Sequence, residues 1–331
     1  MKQQRITDYS DNDQEEKSED TFPLEMYNEP CPRCGSVISI NKKGKRKRKN
    51  RDDVQRFYCL KCKKRFTPSS YPSGHYPPWV WNQILDLYVK GLHAKAIAEE
   101  IKKIAKLTGK PLAISKNTVL NNIIKSSHLL TKFEMKLDHK IKSDEWQIDD
   151  CYQRLNKKLI KKLNKSPNKP IFGYVTNVLE VKTRFWLVAH VSMERDEKAS
   201  KEAIRLAISR AKYQPKEVKC DGHQPCINSV KALLPHTNIN PKSKDKDFSW
   251  INFIERLNET MRDGALPKRK RFNSVELLCA SADINRLYYN YLRPHMSLNG
   301  KTPAYAVGIK FPFRNWGDIF TFAYSFNKQK L

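Results

Sequence analysis

The sequence predicts a multidomain α+β and α/β protein: a small cysteine-bearing module, a helical module, and a mixed sheet covered by helices. Three observations carry this. Two Cys-x2-Cys pairs fall within residues 31–62. Apolar residues then recur at helical spacing from Trp79 onward. Beyond residue 145, three β-rich segments come first, and helix and strand signals then alternate. A chain of 331 residues has room for two or three domains.

The elements follow in order. Residues 1–27 hold three basic and eight acidic side chains and few large apolar ones, so the segment reads as an acidic disordered tail. Such a tail either solubilises the chain or competes with a polyanion for the basic remainder. Residues 28–67 form the cysteine module, and the Pro, Ser and Gly-rich stretch 68–78 reads as a linker. Residues 79–130 are the helical module. Val80, Ile84 and Tyr88 mark a first helix ended by Gly91. Ile97, Ile101 and Ile104 mark a second. Ser115 is placed to cap a third, with Leu120, Ile123 and Ile124 on one side.

The largest unit spans 143–309. Trp146–Leu155, 171–181 and 185–191 read as strands, the first two separated by a lysine-rich insert at 156–170. Helix 196–212, strand 217–220, helix 226–234, a short strand at 237–239, and helices at 248–262 and 274–291 complete it. Cys151, Cys220 and Cys279 lie in apolar stretches and read as core. Residues 310–331 form an aromatic C-terminal segment, with seven rings between Phe311 and Phe326, that either closes the core or serves self-association.

Composition narrows the partners. Lys and Arg total 63 against 35 Asp and Glu, a net charge of +28, which calls for a polyanion. Mean hydropathy is −0.72, and no apolar run reaches the ~18 residues of a membrane span. The N-terminus is polar and acidic rather than a secretory signal. The expected setting is therefore cytoplasmic and nucleoid-associated, without a membrane, where thiols stay reduced or bind metal.

Cys31-x2-Cys34 and Cys59-x2-Cys62 each offer two thiolates from one tight turn, the donor set of a tetrahedral structural Zn²⁺. Between them Lys42–Arg51 holds eight basic residues in ten and reads as a phosphate-touching loop extruded from the ribbon, with Lys45, Arg46, Lys47 and Arg48 at its centre. The helical module resembles a helix-turn-helix. Lys116, Asn117, Asn121, Asn122 and Lys125 lie off the apolar stripe of its last helix, and Asn and Lys are suited to base edges and phosphates. Further basic clusters at 157–169, 242–246 and 268–271 fit DNA tracking.

Three carboxylates stand at the ends of predicted elements: Asp149 in the first strand, Asp221 ending the fourth before Gly222, and Glu255 on the helix after Asn252. Oxygen ligands on separate elements suit a hard divalent ion. Trp146-Gln147-Ile148-Asp149-Asp150, Asp221-Gly222-His223, and Asn252-Phe253-Ile254-Glu255-Arg256-Leu257-Asn258 with Arg262 look like the three acidic motifs of the DDE transposases and integrases. Tyr289-Asn290-Tyr291, Arg293-Pro294-His295 and Lys301-Thr302-Pro303 resemble the tail of insertion-sequence transposases and retroviral-type integrases. The resemblance covers about residues 30–309. Asp150 stands where that family usually has glutamate, and Cys226 where many relatives have an aromatic residue.

The resemblance implies an RNase H-like core, two Mg²⁺ or Mn²⁺ ions at Asp149, Asp221 and Glu255, and support from Asn252, Arg256 and His223. It implies a transposase that binds element ends as double-stranded DNA, hydrolyses a phosphodiester, and joins the released 3′-hydroxyl to target DNA, acting as a homo-oligomer. The alternatives are a catalytically silent DNA-binding regulator of transposase descent and a structure-selective DNA nuclease of the same core.

Overall fold

The computed structural model describes residues 40–48, 51–60, 63–66, 76–135, 137, 141–142, 144–156, 159, 172–241, 251–264, 266, 271–311 and 313–328. Nearest the N-terminus, β1 (Ile40–Arg48), β2 (Arg51–Cys59) and β3 (Lys64–Phe66) form an antiparallel sheet in the order β1-β2-β3. Ile40 pairs with Cys59 and Arg48 with Arg51. Of the basic run 42–51, the described residues 42–48 and 51 are therefore in two paired strands rather than an extruded loop. The antiparallel pairing is interrupted by register shifts between Lys42 and Lys45 and between Arg46 and Arg48.

Three helices follow: α1 (Pro78–Val89), α2 (Ala94–Leu107) and α3 (Lys116–Glu134). Ser115 caps α3 by accepting a hydrogen bond from the Thr118 amide at 3.1 Å. The boundary expected at 130 falls inside α3, whose last turn buries Phe133 and Glu134.

The main sheet has the order β6-β5-β4-β7-β8. Its centre is β4 (Glu145–Leu155), antiparallel to β5 (Phe172–Glu180), which in turn is antiparallel to β6 (Trp186–Ser192). On its other side β4 runs parallel to β7 (Glu217–Cys220), followed by β8 (Asn238–Pro241). The two-residue strand β9 (Arg271–Phe272) pairs with the end of β4. The parallel connections pass through α4 (Glu197–Ala211) and α5 (Gln224–Leu233), as parallel strands require. The result is the mixed sheet with flanking helices that the alternation of strand and helix signals predicts.

α6 (Asn252–Asp263) lies over β4, and α7 (Val275–Tyr291) lies against β6 and α3. Twelve of the seventeen residues of α7 are buried, so it is a central helix rather than a surface one. The short α8 (Pro303–Ala306) and α9 (Trp316–Lys328) complete the chain. Trp316 and Phe320 are buried, and Phe320 meets Trp81 edge-on at 6.5 Å. The aromatic segment therefore closes the core against α1. Cys151 and Cys220 are buried as expected, whereas Cys279 is only partly so.

The helices α1–α3 and the sheet share one continuous buried core. Tyr88 of α1 and Ser281 of α7 share a buried hydrogen bond at 2.5 Å. Gly264, just past α6, lies so close to α1 that a Cβ there would sit 2.8 Å from the Val89 carbonyl oxygen.

Candidate active site

The sheet register positions the acids. On the parallel pair β4 and β7, the last matched residues are Ile148 and Cys220. Asp149 and Asp221 are the next residue on each strand. They come side by side where β7 ends, the place where open sheets of this kind hold ligands. Gly222, with φ +87°, then turns the chain away into α5.

Asp149 sits among groups that define its charge. Its Oδ1 accepts from the Asp150 amide at 2.8 Å, and its Oδ2 accepts from Asn258 Nδ2 at 2.7 Å. Asn258 Oδ1 in turn accepts from Asn177 Nδ2 at 2.7 Å, fixing the side-chain amide's orientation. Burial, and next the neighbouring Asp221 carboxylate, push the Asp149 carboxyl up to about 7.

Asp150 points to the opposite face of the strand. Its Oδ1 accepts from Thr176 Oγ1 at 2.6 Å, and its Oδ2 from Arg195 Nε at 2.6 Å. The same guanidinium donates to Asp221 Oδ2, so one cation bridges two carboxylates. Burial alone would lower the Arg195 pKa, but the two carboxylates outweigh it and the net shift is upward.

Glu255 lies in the first turn of α6, partly buried, three residues before Asn258 and so on a neighbouring face of the helix. The helix start is tied to the central strand: the Ile254 amide donates to the buried Gln147 Oε1 at 3.1 Å. The register brings Asp149 and Asp221 together, and Glu255 lies on α6, which packs over β4. Among the described residues, no group of three or more His, Cys, Asp or Glu side chains is placed to hold a metal ion. Even so, the donor chemistry of the pair fits a hard divalent cation. Two carboxylate-bearing residues stand next to each other, one of them with its carboxyl pushed up by burial and by its neighbour. Asp149 and Asp221 are the residues that would hold it.

The supporting residues divide. His223 caps the start of α5, and its amide donates to Asp221 Oδ1 at 3.0 Å. Its Nδ1 is buried without a partner among the described residues. Asn252 opens α6 and is partly buried, and Arg256 is exposed. His295 packs on Tyr289 with ring centroids 4.5 Å apart, and burial lowers its pKa to about 4. Asn177 and Arg195 lie outside the three acidic motifs, whereas Asn258 ends the third. Only Asn258 left a signal in the sequence, as the polar residue one turn after Glu255.

On α3, Lys116, Asn117, Asn121 and Lys125 are exposed. Asn122 is 5% exposed and faces the core, so it cannot reach a base edge. Its neighbours Val119, Ile123 and Ser126 are buried with it, which puts residue 122 on the apolar side of the helical wheel. His128 and Lys132 extend the exposed stripe instead. Of the zinc residues, Cys59 ends β2 and is buried, while Cys31, Cys34 and Cys62 lie outside the described residues. Lys45 is exposed on β1, and Arg46, Lys47 and Arg48 are part of the same strand. Among the described residues no helix is long and apolar enough to cross a membrane.

No curated protein shows a significant match to the chain. Among solved structures, it is similar to the catalytic core domain of BIV integrase, at 17% identity and TM-score 0.34, over 50% of this chain and 93% of that one. It is similar to the HTLV-2 integrase catalytic core domain in complex with magnesium, at 13% identity and TM-score 0.34, over 51% and 99% of the two chains. It is also similar to a simian T-cell lymphotropic virus intasome chain, at 12% identity and TM-score 0.37, over 66% and 74%. Residues 251–303, which run from the start of α6 to the start of α8, match the integrase core domain family.

Proposed function

We propose that the chain is a DDE transposase: it binds the ends of an insertion sequence and catalyses metal-dependent strand cleavage and strand transfer. The observation that carries the reading is the pair Asp149 and Asp221, neighbours at the end of the parallel strands, with the Asp149 carboxyl raised to about 7 by burial and by its partner. The integrase core match, which includes Glu255, supports the same class. A net charge of +28 supplies the affinity for DNA that such a site needs.

In this reading Asp149 and Asp221 are two metal ligands, and Glu255 is the third, brought in by adjustment of the first turn of α6. Divalent Mg²⁺ or Mn²⁺ ions, when bound, would supply the Lewis acidity for in-line attack on a phosphodiester. Asn258 holds Asp149 in one orientation, and Asn177 holds Asn258. Arg195 keeps Asp150 and Asp221 from repelling one another while no other cation is present. His223 and Gly222 fix the turn that presents Asp221.

The DNA-binding parts are the exposed stripe of α3, as the recognition helix of a helix-turn-helix, and the basic ribbon β1–β2, with Cys31, Cys34, Cys59 and Cys62 holding a structural Zn²⁺. The working unit is a homo-oligomer, because two DNA ends must be handled together.

A second reading is a silent DNA-binding regulator, which would keep the basic helix and ribbon without the chemistry. One experiment separates the two. Purified protein is given labelled duplexes from the DNA flanking its own reading frame, with Mg²⁺ or Mn²⁺, beside Glu255→Gln. Metal-dependent nicking and joining, lost in the variant while DNA binding survives, is the expected result. Equal binding by both proteins with no cleavage by either would move the regulator ahead. Cleavage without any joined product would assign a nuclease.

A further inference from the structure

The face of the sheet that carries Asp150 also carries aromatic rings that neither fill the core nor serve the carboxylates. Side chains alternate along β4, so Asp150, Tyr152 and Arg154 share one face. The register sets Tyr152 opposite Tyr174, and Arg154 opposite Phe172. Along this face Trp146 and Ile148 are buried, whereas Tyr152 and Arg154 are exposed, so the helical cover ends near Asp150. Tyr152 is 54% exposed. It meets Phe172 edge-on, with centroids 5.1 Å apart and the rings at 74°, an arrangement that leaves a flat ring face open. The reverse face is closed: a Cβ on Gly173 would fall 2.6 Å from Leu278 Cδ2 of α7.

We propose that Tyr152, Phe172, Tyr174 and Arg154 form a stacking platform for unpaired bases of the DNA strand next to the cleaved phosphodiester. The inference rests on the transposase reading and adds to it that the substrate is opened beside the cut. Three features favour this occupant. The platform is continuous with the acid site: Tyr152 is two residues, about 7 Å, from Asp150, and Arg195 joins Asp150 to Asp221. Arg154, exposed on the same face, supplies positive charge at its far edge. On β6, beside Tyr174 and Thr176, lies a groove of about 360 Å³ lined by Ser192, His190, Glu194, Asp196, Glu202 and Lys198, with more acid than base. A strand leaving the acid site is therefore better placed along Tyr152 toward Arg154 than across β6. Stacking requires a free base face, which a paired duplex does not offer.

The test measures binding by the full chain in EDTA, so that cleavage does not enter. The probes are the element-end duplex, blunt or with a short single-stranded overhang carrying 2-aminopurine. The wild type is expected to bind the overhang about tenfold more tightly than the blunt duplex, with altered 2-aminopurine fluorescence. Tyr152→Ala should lose that preference and the signal while holding blunt duplex unchanged, and Tyr152→Phe should keep both. Equal binding of the two probes by the wild type overturns the proposal, as does a Tyr152→Ala variant that retains the preference. A Tyr152→Ala variant that sediments as a smaller species yet keeps the preference assigns the face to a second copy of the chain. The transposase reading fails separately, through absence of cleavage in Mg²⁺ by a wild type that binds both probes.

Discussion

Arg286 of α7 grips Glu134 at the end of α3 with two parallel hydrogen bonds, of 2.6 and 2.5 Å, where neither residue reaches solvent. The pair stands in a polar cluster inside the shared core. Tyr291 donates to Glu134 at 3.3 Å, and Asp283, which accepts from Ser127 at 3.2 Å, lies 3.7 Å from Arg286. Through it, the helix proposed to read DNA is locked to the helix that backs the sheet. Removing Arg286 leaves the buried Glu134 with only Arg210, 3.9 Å away, as its counter-charge, so Arg286→Ala should destabilise the fold by about 3–5 kcal/mol in urea denaturation. The double change Glu134→Leu with Arg286→Met should cost less than Arg286→Ala alone, because both charges of the pair go together and Arg210 and Asp283 remain to offset one another. Additive losses in that cycle would show that the two residues are not coupled.

The Asp149 carboxyl sets a pH dependence. It is an acid whose folded pKa, about 7, exceeds the ordinary value of about 3.9. Between those values the folded protein binds a proton that the unfolded chain does not. Its contribution to stability is thus full at low pH and is lost as pH rises through about 7. A divalent cation must displace that proton, so apparent Mg²⁺ affinity should rise roughly tenfold per pH unit below 7 and level off above it. Calorimetric titration from pH 5.5 to 8 tests this, with Asp149→Asn as the control that removes the slope. A flat profile in the wild type would mean that Asp149 is not a ligand.

Arg195 is the cation already in place between Asp150 and Asp221, on a side chain 34% exposed. Arg195→Gln should lower the melting temperature of the metal-free protein by a few degrees, since two carboxylates then face each other uncompensated. The same change should enlarge the stabilisation gained on adding Mg²⁺, because a competing cation has gone. If Mg²⁺ stabilises wild type and variant equally, Arg195 does not compete with metal at this site.

Much of the architecture was legible because it is written in local periodicity. β4, β5 and α7 lie within a residue or two of where the sequence pattern places them. β9 escaped notice because two residues carry no period, and α9 because its aromatic content outweighs its helical stripe. The surroundings of the site were less legible. Arg195 reads as one exposed charge among many until the fold sets it against Asp150, 45 positions away. Glu134 and Arg286 are 152 positions apart, and a tertiary ion pair leaves no local pattern. Asn122 was misplaced because an amide carries no hydrophobic signal, although only rotation about α3 decides that it faces inward.

That rotation yields the last prediction. The exposed stripe of α3 runs Asn117, Asn121, Lys125, His128, Lys132, at steps of three and four residues, and covers about 22 Å of helix surface. Side chains at these positions can face a DNA groove together, and Asn122 cannot. Lys125→Ala should weaken binding to all duplexes alike and reduce the slope of log affinity against log salt by about 0.9, as for one phosphate contact. Asn121→Ala should instead cost about 1–3 kcal/mol on the element end and little on unrelated duplex, because a base contact is read only where its base is present. Asn122→Ala should leave both affinities within error, its effect appearing only in stability. Fluorescence anisotropy at several salt concentrations separates the three. If Lys125→Ala and Asn121→Ala bind both duplexes as the wild type does, α3 is not the reading helix, and the basic ribbon of β1 and β2 becomes the principal DNA contact.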